Sequence, residues 1–290
     1  MKVLITGASG QVGRALQDSA PSEVALRALT RGELDISDAR AVQRAVAAWH
    51  PAVIINAAAY TAVDKAESEP EASLSINAEG PRHLAQAALA MPGCRLIHIS
   101  TDYVFDGGSA EPYGPSDRTH PLSVYGRGKL LGEQAVVEIL ADRGVILRTA
   151  WVYAAQGKNF LLTMLRLMRE RGAVRVVADQ FGSPTSADSI ARALWVIARR
   201  PEVHGLLHWT DAGKTTWYDF AQAIAEEGAA AGLLPPDIEV TAITTAQYPT
   251  AARRPVSSVL DTRRSVELLG IVPPPWRAQL RATLARLKAA

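Results

Sequence analysis

At 290 residues, 48% of them apolar and with a formal net charge of +2, the chain is long enough for one large or two smaller domains with a sizeable core. The near-neutral balance offers no basic stripe for nucleic acid and no charged face for a membrane surface, and no apolar run approaches the ~20 residues of a membrane span. The single cysteine, Cys94, excludes an internal disulfide and a cysteine-rich metal site, and "MKVLITGASG" lacks the pattern of a secretory leader, so a cytoplasmic protein is expected.

The first expected strand is "KVLIT" (2–6). It runs into "VLITGASGQVGRAL", where Gly7, Gly10 and Gly13 separate the strand from a helix at 11–20. Glycines so placed allow a tight turn, close approach of backbone to a pyrophosphate and close packing of helix on strand. The amides of Gly10, Gln11 and Val12 then point from the helix start at phosphate oxygens. The second strand is "EVALRAL" (23–29). Where NAD enzymes commonly carry an acid for the ribose, this chain has Thr30 and Arg31, a pair suited to a 2′-phosphate. NADPH is therefore favoured over NADH, the alternative being that Arg31 is a solvated loop residue. Asp35 and Ile36 follow where an adenine edge can be met.

A helix at 38–49 leads to the third strand, "AVIIN" (52–56), and to "NAAAYTAVD". Small Ala57, Ala58 and Ala59 let the chain pass close to a cofactor bordered by Tyr60 and Thr61, although tight helix–sheet packing accounts for alanines as well. Asp64 and Glu67 have the spacing of a helix capping box. A helix over roughly 70–91 precedes the fourth strand, "RLIHIS" (95–100), which ends in Thr101 and Asp102 at the carboxyl edge, where open α/β sheets bind ligands.

The next helix, 123–142, carries Tyr125 and Lys129 one turn apart on one face. A phenol beside an ammonium is a proton donor whose pKa can be drawn down from ~10, as carbonyl reduction beside a hydride donor requires. Thr101 can polarise the carbonyl. The same helix holds Gly126, Gly128 and Gly132, each costing it ~1 kcal/mol relative to alanine. That cost implies close approach, to the sheet or the cofactor. "GVILRT" (144–149) is the fifth strand.

This βαβα alternation predicts a Rossmann-like, doubly wound parallel α/β sheet over 1–150. Beyond 150 the rhythm loosens: helices at 158–171, 186–200, 216–231 and 275–288 are separated by Gly-, Pro- and Thr-rich loops. Residues 151–290 are expected to form a smaller, mixed substrate-binding domain, with some elements returning to the sheet.

The motifs "TGASGQVG", "NAAAYTAVDKAESEPE", "STDYVFDG", "VYGRGK", "LRTAWVY", "DQFGSPT", "TTWYDFA" and "YPTAARRP" together resemble the extended short-chain dehydrogenase/reductases and, within them, the dTDP-4-dehydrorhamnose reductase family. The resemblance covers nearly the whole chain. It implies reduction of the 4-keto group of dTDP-6-deoxy-L-lyxo-4-hexulose by NADPH, or NADH, with Tyr125 protonating the oxyanion and Lys129 lowering its pKa and holding the ribose. It further implies Thr101 on the keto oxygen, Asp102 fixing the substrate, Trp151 against the sugar, and Arg253 or Arg254 on the nucleotide diphosphate. Some relatives dimerise around magnesium held by glutamates. Here Ala15 stands at one such position and Asp188 near another, so no magnesium site is expected, and the chain is a monomer or a homodimer. Two readings stay open beside the reductase: a nucleotide-sugar epimerase or dehydratase, and a non-catalytic subunit like the regulatory partner of methionine adenosyltransferases.

Overall fold

The computed structural model describes residues 1–289. Its centre is a sheet of six parallel strands: β1 (Lys2–Thr6), β2 (Ala25–Leu29), β3 (Val53–Asn56), β4 (Arg95–Thr101), β5 (Gly144–Thr149) and β6 (Gly205–His208), in the order β6-β5-β4-β3-β1-β2. The direction of winding reverses between β1 and β3, which opens a crevice at their carboxyl ends.

The central strands β1 and β3 are apolar on both sides because both faces are covered. Val3 and Ile5 join Val12, Leu16, Ile190 and Leu194 in one core, while Leu4 between them joins Val42, Val46, Leu84 and Ile146 in the other. A third core, centred on Tyr153, Leu165, Phe220, Ile224 and Leu284, binds the helices Phe160–Arg171, Trp217–Ala230 and Trp276–Ala289 to a parallel strand pair, Ala173–Val177 with Glu239–Ile243. Residues after 150 thus build that third core and also return to the sheet, through β6 and the Ala187–Ala198 helix that packs on it. Among the described residues no helix is long and apolar enough to cross a membrane.

The stretch expected as one helix at 70–91 is three pieces: Pro70–Leu74, a π-helical turn Ser75–Glu79, and Gly80–Leu89. The wide turn has a use. It aims Asn77 at the backbone of Tyr60, whose N–H and C=O it engages at 2.9 Å each. The Val124–Leu140 helix lies against this turn. A Cβ on Gly132 would sit 2.3 Å from the Asn77 carbonyl oxygen, and one on Gly126 would sit 2.2 Å from that of Tyr103. The glycine face therefore admits neighbouring backbone, rather than the sheet or the cofactor as expected from sequence.

Candidate active site

The crevice holds two adjoining cavities of about 560 and 340 Å³ that share Ser9, Gly10, Thr61 and the Ala57–Ala59 run. The turn after β1 is built for close approach. Gly7 has φ +75° and any Cβ there would meet Ala57 backbone at 2.6 Å, while a Cβ on Gly13 would meet Gly7 oxygen at 2.2 Å. Gly13 therefore serves helix packing and lines neither cavity. Gly10, Gln11 and Val12 line the larger one. The amide of Gly10 is already given to Gly7 oxygen at 3.0 Å, which corrects its expected role; Gln11 and Val12 open the Gln11–Asp18 helix, where N–H groups lack intrahelical partners. This cradle fits a dinucleotide pyrophosphate.

Gly7, Arg31, Asp35, Ile36, Ala59, Tyr60 and Thr61, all expected at the cofactor, line the smaller cavity. Arg31 is exposed and only 3.9 Å from Asp35. Thr30 is turned away: its N–H and hydroxyl both donate to Glu33 at 2.8 Å, so it lines neither cavity. Asp35 accepts from the N–H and hydroxyl of Ser37, which hold its carboxyl below its usual pKa.

Thr101, Asp102, Tyr125, Lys129 and Trp151 all line the larger cavity. Ser123 caps the Val124–Leu140 helix by accepting from Gly126 N–H, and so sets Tyr125 in its first turn. Tyr103 meets the Tyr125 ring edge-to-face at 5.7 Å. Burial pushes the Tyr125 phenol up to about 12, with Thr101 opposing the shift, so it is protonated at neutral pH. Lys129 is buried, donates to Ile99 oxygen at 2.6 Å and lies 3.1 Å from His98 Nε2; burial pushes it down to about 7. Burial, rather than a neighbouring charge, is the largest influence on both groups in the ligand-free cleft. Thr101 donates to Asp102 at 3.0 Å, Ser258 donates to the other carboxylate oxygen, and burial lifts Asp102 to about 6.

Trp151, at φ +47°, stacks on Trp217 with ring centroids 3.5 Å apart, and a Cβ on Gly182 would strike its indole at 2.4 Å. Trp217, Thr149 and Lys158 also line this cavity and were assigned no role from sequence. "TTWYDFA" was a visible motif, whereas Lys158 is an exposed residue in a Gly-containing loop, with no local signal. The expected arginines are elsewhere. Arg253 is exposed, Arg254 grips Asp64 with bonds of 3.1 and 2.7 Å, and neither lines either of these two cavities. Asp64 also accepts from Ala252 N–H, and Glu67 accepts from Val124 N–H at 2.8 Å. The expected capping box is therefore two long-range clamps.

Residues 1–289 match the sequence family described as the RmlD substrate binding domain. The chain is 45% identical to dTDP-4-dehydrorhamnose reductase of Burkholderia thailandensis, covering 96% of each chain, and 42% identical to that of Escherichia coli K12, covering 99% and 98%. Among solved structures it resembles a dTDP-4-dehydrorhamnose reductase from Clostridium acetobutylicum (TM-score 0.93, 38% identity, 99% and 100% covered). A reductase of that name from Bacillus anthracis, solved in complex with NADP, is similarly close (TM-score 0.92, 35% identity, 98% and 99% covered).

Proposed function

The chain belongs to the RmlD substrate-binding-domain family, and from that premise we propose that it reduces the 4-keto group of dTDP-6-deoxy-L-lyxo-4-hexulose to give dTDP-L-rhamnose, using NADPH. The observation that carries the reading is the convergence of Thr101, Tyr125 and Lys129 with the glycine turn on one 560 Å³ cavity.

The bound dinucleotide supplies the hydride. Gln11 and Val12 at the helix start hold its pyrophosphate, Tyr60 and Thr61 border it, and Arg31 favours the 2′-phosphate. Tyr125, protonated below a pKa of about 12, donates its proton to the oxyanion as charge develops there. Thr101 turns its hydroxyl from Asp102 to the keto oxygen, and Ser258 still donates to the carboxylate it leaves. The Trp151–Trp217 stack gives the sugar an apolar wall. Lys158, rather than Arg253 or Arg254, faces the cavity with a positive charge for a substrate diphosphate. This reading places the protein in the cytoplasm, among enzymes acting on dTDP-sugars.

The test couples the purified protein to an enzymatic supply of the 4-keto sugar nucleotide, follows NADPH absorbance and identifies the product sugar. Formation of dTDP-L-rhamnose with stoichiometric NADPH loss is expected. No NADPH loss with authentic substrate would overturn the reading.

A further inference from the structure

Lys129 does not simply point into the cleft; its amine rests on a buried chain of side chains running into the sheet. Asn56, the last residue of β3, is fully buried. Its Oδ1 receives the Ala58 backbone N–H at 3.1 Å and the Thr6 hydroxyl at 2.7 Å. A backbone N–H can only donate, so that atom is the oxygen, and the amide nitrogen is the atom 2.9 Å from His98 Nδ1. The amide nitrogen has only protons to offer. His98 Nδ1 must accept, and the neutral ring carries its proton on Nε2. Nε2 lies 3.1 Å from Lys129 Nζ. An ammonium there sets donor against donor, whereas a neutral amine accepts from Nε2–H and still donates to Ile99 oxygen.

The surrounding charges leave this assignment in place. On its own helix Lys129 has Tyr125 one turn before it and Glu133 one turn after, from β4 its amine is met by His98, Asp102 lines the same cavity, and Arg148 reaches Glu133 from β5. Glu133 favours the ammonium, but Arg148 occupies both its oxygens at 2.9 and 2.6 Å. Asp102 is taken by Thr101 and Ser258. The π-helical turn packs uncharged Asn77 against neighbouring Gly128, and its one charged residue, Glu79, is exposed and paired with Arg82. Burial pushes His98 well below its usual pKa, in keeping with a neutral ring.

We propose that Asn56 and His98 are positioning residues that lock the Nε2–H tautomer and thereby hold Lys129 as a neutral amine on the cleft floor, so that Lys129 takes up a proton only as its amine leaves His98 for a ligand. The second half of this statement rests on the dinucleotide reading of the cleft; the tautomer does not. Binding of the dinucleotide above pH 7 is then accompanied by proton uptake.

Two measurements test this. Nitrogen NMR of the ligand-free protein labelled in histidine, with the His98 signals assigned by their loss in His98→Gln, is expected to show a neutral ring protonated at Nε2. Calorimetry of NADP binding at pH 8, in buffers of different ionisation enthalpy, is expected to show uptake of about one proton per site. Asn56→Asp supplies a carboxylate that accepts from Nδ1–H and turns Nε2 into an acceptor, so uptake should fall at least fourfold. An Nδ1-protonated ring in the free protein, or uptake unchanged by Asn56→Asp, overturns the proposal. Absence of NADP binding would refute the dinucleotide reading instead, and the NMR result would still decide the tautomer.

Discussion

Replacing Gly132 by alanine should damage this protein even though alanine is the better helix former. The added methyl would lie 2.3 Å from the Asn77 carbonyl oxygen and 3.0 Å from Pro81 Cγ, and a backbone oxygen inside a π-helical turn has little room to yield. Relief requires the Val124–Leu140 helix to retreat by on the order of 1 Å. Overpacking of this kind costs ~1–3 kcal/mol, and two contacts at once place it in the upper half of that range. The intrinsic gain of alanine over glycine returns ~1 kcal/mol. The net loss is then ~1–2 kcal/mol, or a fall of ~2–4 °C in melting temperature for a chain of this size. Because Lys129 lies one turn away on the same helix, the same displacement should lower kcat by up to ~100-fold. Gly128→Ala is the control: its nearest neighbour is the Asn77 side chain at 3.2 Å, so stability should change by less than ~0.5 kcal/mol. Scanning calorimetry and steady-state kinetics on both variants provide the assay. A Gly132→Ala protein with raised melting temperature and full kcat would refute the argument that these glycines exist to admit backbone.

Tyr125→Phe should abolish reduction of the keto sugar while leaving the dissociation constant for NADPH within about threefold, as read by fluorescence titration, because it removes a proton and almost no surface. Arg31→Ala should raise KM for NADPH by ~10-fold and leave that for NADH unchanged, the loss expected for one charge-assisted phosphate contact. Glu67→Ala removes the acceptor for Val124 N–H and should cost ~1 kcal/mol in denaturant unfolding, with a larger relative fall in kcat than Glu67→Gln. Lys129 has its pKa lowered by folding, so protonated Lys129 penalises the folded state below about pH 7 and the penalty fades as pH rises towards the unfolded value of ~10.4. Lys129→Met should therefore stabilise the ligand-free protein more at pH 6 than at pH 9, and an equal effect at both would contradict the buried-amine assignment.

The sheet was legible because its strands announce themselves locally: "AVIIN" and "GVILRT" are apolar on both faces, and the three glycines after "VLIT" mark a turn that only glycine fills. Tyr125 and Lys129 were legible because helical spacing fixes which side chains share a face. What escaped notice depends on partners remote in sequence. Glu239–Ile243 finds its mate at Ala173–Val177, more than sixty residues earlier. Asp64 and Glu67 match a local capping pattern, yet their acceptors serve Arg254 and Val124. Thr30 sits where a phosphate ligand is expected, but Glu33 three residues on claims its hydroxyl. Lys129 offered the same difficulty, since nothing in "YGRGK" foretells a histidine on β4 beneath it.

The short run from Tyr60 to Glu67 borders the dinucleotide crevice with its first residues, grips Arg254 with Asp64 and caps the helix of Tyr125 with Glu67. Three stretches remote in sequence are thus pinned to one eight-residue span. For anyone splicing this chain with a relative, that span sets the rule of recombination. A C-terminal segment from another parent that lacks a basic side chain to meet Asp64 forgoes that pair, while an insertion or deletion inside the span shifts Asp64 and Glu67 away from their partners together.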